Sequence, residues 1–227
     1  MNLYLNKLKY YFLTTGKHEN RKQHILKIFD KYDITEINPI LNIEKYKSGS
    51  IGISRIIDQG LRNQDISKPF QPFVIIEDDI SFYKDFPDYI KIPNNTDLLY
   101  IGLSIWGLNI GKERGEHNNI IFDDINDDIF RIYNMLSTHG IIICSPLGAL
   151  TYQKSIMESY YYGVVWDVIL AKSQPYINVY ALKNPLVYQD PLYGGNNTTQ
   201  INFKYLKNNK KPDIFDNKYL TIKMIKK

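Results

Sequence analysis

The chain has little cysteine, little surplus charge and no long apolar run, and each shortage excludes a class of function. A single cysteine, Cys144, stands among 227 residues, so neither an intrachain disulfide nor a cysteine zinc cluster can form. It ends the apolar run GIIIC, where a buried, inert thiol is the expectation. No segment reaches the length needed to span a bilayer. The opening stretch MNLYLNKLKYYFL is broken by lysines and lacks a small-residue cleavage site, so a cytoplasmic location is expected. With 28 basic against 24 acidic side chains, the net charge of +4 is too mild to imply nucleic acid. Neither a GxGxxG fingerprint nor a Walker lysine motif is present. His18, His24, His117 and His139 show no metal-binding spacing, and the Asp123, Asp124, Asp127, Asp128 group lacks the glycine of a calcium loop.

What is present reads as one substantial core. Apolar residues make up 44% and tyrosine is abundant. Lys9 to Thr14 predicts a strand, Glu19 to Tyr32 a helix, Ile34 to Ile37 a strand and Ser48 to Leu61 a helix with one apolar side. Strands at Phe73 to Ile76 and Leu98 to Leu103 follow. This alternation predicts an α/β fold with parallel strands. Residues 104–128, rich in glycine and polar groups, read as a long functional loop in which Lys112 and Arg114 would close over a diphosphate. Further strands are expected at Phe130 to Tyr133, Gly140 to Cys144, Asn178 to Ala181 and Leu186 to Tyr188. Helices are expected at Pro146 to Tyr161 and Gly163 to Lys172. The tail from Lys204 holds eight lysines against two aspartates and reads as a solvated segment, with peripheral membrane contact as the minor alternative.

The chemistry concentrates in FVIIEDDI, Phe73 to Ile80, where a strand ends in Glu77, Asp78 and Asp79. Three adjacent carboxylates repel and are costly to bury unpaired. In an open α/β sheet, ligands bind beyond the carboxyl ends of strands. Residues two apart can face one side, so Glu77 and Asp79 can converge on a hard cation such as Mn²⁺ or Mg²⁺. A solvated acidic turn is the competing reading.

The same stretch resembles the EDD signature of the family 25 glycosyltransferases, and other pieces follow in that family's order. Gly49, Gly52, Ser54 and Arg55 stand where the family has a segment of glycines followed by Ser-His, with Arg55 in place of the histidine. Leu98 to Gly102 resembles its LYxG strand, Thr138-His139-Gly140 with Gly148-Ala149 its next segment, and Val179 to Gln189 its ending. The resemblance covers roughly residues 9 to 190. It implies a GT-A fold with a mixed sheet over residues 1–203, with a Rossmann-like donor half over about 1–103 and an acceptor half over about 104–203, ahead of the basic tail 204–227. It implies Glu77 and Asp79 as metal ligands for Mn²⁺ or Mg²⁺, and Asp78, Ser54, Arg55, Thr138 and His139 as contacts of a nucleotide-sugar donor. Asp167 would be the base that deprotonates a hydroxyl on a glycan, a lipid-linked carrier or a protein.

Each candidate also has a plainer reading. Asp167 lies in the first turn of its predicted helix, where a carboxylate is stabilising without any catalysis. Trp166 either stacks on a sugar or packs the core. His139 is as readily a satisfied structural histidine. Beside sugar transfer stand two alternatives: metal-assisted phosphoester hydrolysis, and a non-catalytic nucleotide-sugar or carbohydrate-binding module.

Overall fold

The computed structural model describes residues 1–14, 18–38, 44–108, 115–117 and 120–195. The chain opens on a short strand, Asn2–Tyr4 (β1), and enters the main sheet at Lys9–Leu13 (β2). Helix Glu19–Ile28 (α1) leads to Asp33–Ile37 (β3), and helix Lys45–Arg62 (α2) leads to Phe73–Glu77 (β4). Two short strands, Ile80–Phe82 (β5) and Tyr89–Lys91 (β6), precede Leu98–Tyr100 (β7). Trp106–Leu108 (β8), Gly115–His117 (β9), Ile121–Asp124 (β10) and Ile129–Asn134 (β11) follow, then Gly140–Ile143 (β12). Helices Pro146–Tyr162 (α3) and Trp166–Ser173 (α4) and strands Val179–Leu182 (β13) and Val187–Gln189 (β14) complete the described chain.

Eight strands form one mixed sheet in the order β10-β11-β13-β7-β12-β4-β2-β3. Strands β3, β2 and β4 run parallel, as do β7 and β13. Strand β12 lies between β4 and β7 and is antiparallel to both, so β4 and β7 point the same way. The fold is therefore mixed α/β, a central sheet flanked by helices. Its two faces are separate cores, set by the two-residue period of the strands. Tyr11, Phe73 and Ile75 face Ile53, Ile56 and Ile57 of α2 and Tyr152 and Ile156 of α3. Tyr10, Phe12, Val74 and Ile76 face Ile25 and Phe29 on the α1 side. With α1 and α2 on opposite faces, the order of winding reverses between β2 and β4, the kind of switch point beyond whose carboxyl ends open α/β sheets bind ligands.

Local chemistry explains the helix ends. Ser145 caps α3 by accepting from the Gly148 amide at 3.0 Å, and Pro146 supplies the preset first-turn dihedral. Gly163 closes that helix at φ 68°, a left-handed conformation that glycine tolerates. A residue spent on that stop cannot also start the next helix. So α4 begins at Trp166 rather than at the expected Gly163, and Asp167 becomes its second residue. The region 104–128 is less irregular than its composition suggests, for β8, β9 and β10 lie within it. Lys112, Arg114 and the tail 204–227 fall outside the described residues. Among the described residues no helix is long and apolar enough to cross a membrane.

Candidate functional site

The acidic corner sits at the carboxyl end of β4, and each of its three side chains has a different fate. Glu77 is held from both sides: Oε1 accepts from Thr138 Oγ1 at 2.9 Å and Oε2 from Gln189 Nε2 at 2.7 Å. Asp78 turns toward α1 and pairs with Arg21 at 3.0 Å. Asp79 is buried; its backbone oxygen accepts from the Asp190 amide at 2.7 Å, while Oδ1 is buried without a hydrogen-bond partner. Register accounts for the approach of Thr138. Strand β12 runs antiparallel to β4 with Gly140 opposite Ile76, so the residues entering β12 lie beside those leaving β4.

Electrostatics follow from this crowding. Burial, then the neighbouring Asp79 carboxylate, push Glu77 up to about 8, against the pull of the Thr138 hydroxyl. Burial and Asp78 also raise Asp79, while Arg21 and the Gln189 amide pull it down. Glu77 and Asp79 thus lie near enough that the charge of one opposes ionisation of the other.

Beside this corner opens a cleft of about 270 Å³. Trp106 and Trp166 supply aromatic surface, Glu77 and Asp167 supply carboxylates, and Gln189 and Thr138 supply neutral polar groups. The Trp166 ring rests where a side chain at Gly49 would collide with it, 2.9 Å from Cζ3, so that glycine of α2 admits the indole. Its N–H donates to Thr138 Oγ1 at 2.9 Å. A continuous chain results, from Trp166 through Thr138 to Glu77 and Gln189. Asp167 is flanked by protein yet borders the cleft; burial raises its pKa, while the amides of Val168, Ser137 and its own residue pull it back. Its helix-starting role is thus present together with its access to the cleft.

Not every expected residue joins this group. His139 is buried, with Nδ1 bonded to Ser137 Oγ and Nε2 packed against Gly102 without a partner. Burial lowers its pKa to about 4, so it is neutral near pH 7. Ser54, on α2, accepts from Gln153 Nε2 at 2.6 Å. Arg55 is exposed and lines a separate groove of about 430 Å³ with Glu36, Asp58 and Arg62, between α2 and the edge strand β3. Cys144 is buried, as expected, and burial raises its thiol pKa.

The structure adds residues that sequence reasoning passed over. Gln189, Ser104, Trp106 and Ser137 border the cleft, and Arg21 engages Asp78. Only the carboxyl-end rule could have pointed to Ser104 and Trp106, which follow β7. A second cluster, His24, Ser81 and Asp190, looks like a catalytic triad but is wired differently. The Ser81 hydroxyl donates to Asp190 Oδ2 at 2.7 Å and lies 2.8 Å from His24 Nε2, so it is the middle member. His24 also stacks on Tyr193 at 3.9 Å. This set clamps α1 and the residues after β14 onto β5. The cluster Asp123 and Asp124 is likewise structural: Tyr133 donates to Asp123 and Lys183 pairs with Asp124.

Among the described residues, no group of three or more His, Cys, Asp or Glu side chains is arranged to hold a metal ion. Two features nonetheless suit a cation: the orphaned Asp79 Oδ1 and its repulsion with Glu77. No protein-family model matches this chain, and no curated protein matches it.

Proposed function

We propose that this protein is a metal-dependent, inverting glycosyltransferase of GT-A type, moving galactose or glucose from a UDP-sugar to a hydroxyl acceptor. The observation that carries the reading is the cleft itself. It combines two tryptophan faces, the Asp167 carboxylate and Glu77, the one member of the acidic corner that borders it, at the carboxyl end of a parallel strand. Aromatic faces suit the apolar face of a hexose, while carboxylate and amide groups suit its hydroxyls. Glu77 and Asp79 would hold a divalent ion, with ligand oxygens and water completing its shell; bound there, the ion would neutralise charge on the diphosphate.

The remaining chemistry belongs to the chain. Asp167 accepts the proton of the acceptor hydroxyl as that oxygen bonds to the anomeric carbon. The bond from that carbon to the diphosphate oxygen breaks, and its electron pair leaves with the nucleotide. Burial favours the protonated form of Asp167, which makes its carboxylate a stronger base. Trp166 and Thr138 orient the sugar and exclude water from the reacting face.

The test is Asp79→Ala. Release of UDP from UDP-galactose or UDP-glucose under Mn²⁺ is expected to fall by about 10²-fold or more, with the thermal midpoint little changed. Full retention of Mn²⁺-stimulated release would reject the metal role.

One observation favours a non-catalytic binding module instead: both Glu77 oxygens already have protein donors. Thermal stabilisation by UDP and Mn²⁺ without release across a broad acceptor panel would select that reading.

A further inference from the structure

Helix α3 is apolar on two sides, and only one of them is packed against the sheet and α2. On the inward side Tyr152 and Ile156 enter the core, and Ser159 Oγ is hydrogen-bonded to Ser50 Oγ of α2 at 3.2 Å. That packing fixes which way the other side points. Between the terminal residues Pro146 and Tyr162, every exposed position of the helix falls in one series: Leu147, Leu150, Lys154, Met157 and Tyr161. The intervals of three, four, three and four residues are the a/d spacing of a helix–helix seam. Leu147 is 52% exposed, Leu150 61%, Met157 40% and Tyr161 73%. The outer side of a surface helix is ordinarily polar, whereas a helix apolar all round is one that is covered all round. The two charges of α3 bear on what covers it. Lys154 and Glu158, its only charged residues, stand on or beside this seam and pair at 3.7 Å across one turn. One charge of each sign makes the seam neutral and complementary to itself. An anionic lipid surface would select an excess of cations around the apolar wedge, and the helix has none. Gly194, near the end of the described chain, lies against Arg21 of α1, on the opposite face of the sheet.

We propose that this side of α3 is a dimer interface, paired antiparallel with the same helix of a second copy of this chain about a two-fold axis at the level of Ser155 and Ile156. In that register Leu150 meets Tyr161 of the second copy. Lys154 lays its stem along Met157 of the second copy and brings its ammonium to Glu158, and the two-fold axis repeats each contact in the other direction. Parallel pairing is disfavoured, because it sets Lys154 against Lys154. The seam from Leu147 to Tyr161 is about 21 Å long. Exposed Tyr162 and Val165 extend it, and Val165 also borders the cleft, so the seam runs to the cleft's rim. One helix width over that length buries less than the about 800 Å² per partner of a standard interface, so a dissociation constant of about 10 μM is expected. The inference does not depend on the glycosyl-transfer reading.

The experiment is sedimentation velocity of the full chain between about 5 and 200 μM, a range that brackets the expected constant. The wild-type chain is expected to pass from monomer to dimer across that range. Leu150→Glu, at an exposed position that leaves the core untouched, is expected to raise the dissociation constant by about 30-fold or more. Lys154→Glu and Glu158→Lys each set like charges across the seam and are expected to raise it by about tenfold. The double variant restores opposite charges and is expected to return to within about threefold of wild type. A wild-type chain that stays monomeric at the highest concentration overturns the proposal, as does a dimer that Leu150→Glu leaves intact. Single charge variants that weaken the dimer without rescue in the double variant overturn the antiparallel pairing. Two further outcomes name another occupant and also overturn it. One is a monomeric wild type that cosediments with vesicles of equal parts phosphatidylcholine and phosphatidylglycerol while Leu150→Glu does not, which assigns the seam to a lipid surface. The other is a monomeric wild type whose thermal midpoint falls in Leu150→Glu, which assigns the seam to a segment of the same chain.

Discussion

At the scale of single residues, a half-buried carboxyl and a buried imidazole pull stability in opposite directions with pH. Glu77 is shifted from 4.5 to about 8 in the folded chain. Across that window the folded state keeps a proton that the unfolded state has released, so its contribution to stability falls as pH rises. His139 is shifted from 6.5 down to about 4. Between those values the unfolded chain takes up a proton that the folded chain refuses, so its contribution falls as pH falls. Glu77→Gln is therefore expected to lose the decline on the alkaline side and to exceed wild type in thermal midpoint at pH 8. Midpoints measured from pH 5 to 8 test this; an unchanged slope in the variant refutes the assignment. Sequence reading singled out Glu77, Asp79, Thr138, His139 and Asp167 because each sits in or beside a conspicuous local pattern, and of these Glu77, Thr138 and Asp167 border the cleft. It missed Gln189 and Arg21 because their partners lie 112 and 57 positions away. No local pattern encodes such a meeting.

At the scale of elements, α2 shows what a helical period conveys and what it hides. Its apolar side, with Ile53, Ile56 and Ile57, was legible because the spacing matches 3.6 residues per turn. The use of its glycines was not. Gly49, Gly52 and Gly60 are contact points for Trp166, Leu13 and Phe73 respectively. A Cβ at Gly60 would lie 2.6 Å from the Phe73 ring, which is itself buried. Gly60→Ala gains about 1 kcal/mol of helix propensity and loses about 1–3 kcal/mol to overpacking. A net loss of about 0–2 kcal/mol in urea unfolding is expected, and a stabilised variant would show that the ring yields. Strands β1, β5 and β6 escaped notice for a different reason: at three residues each they are too short to display alternation. Their pairing is set by partners, not by their own pattern.

At the scale of the whole molecule, the alternation of strands and helices predicted a helix-flanked α/β sheet, and the sheet is there. That the sheet is mixed was expected from the resemblance alone and is borne out; its strand order was not legible, since nothing local says that β12 will insert between β4 and β7. Asp97 helps hold that junction. Its Oδ1 accepts from Ser145 at 2.5 Å, its Oδ2 from the Asn178 amide at 2.7 Å, and its carbonyl from the Cys144 amide at 2.9 Å. Asp97→Ala would strand a half-buried amide and is expected to cost about 1–3 kcal/mol in chemical denaturation; no measurable change would mean that water substitutes for the carboxylate. The insertion of β12 also orders assembly in time. A ribosome that has emitted only the first hundred residues has made β4 and β7, yet each still lacks the neighbour that joins them. Until residues 140–143 emerge, Ile75 lies at the open margin of the ribbon of β3, β2 and β4, and Leu99 lies in a strand with no sheet partner yet made. Nascent chains stalled before that point should therefore lean on chaperones, and those released after it should not.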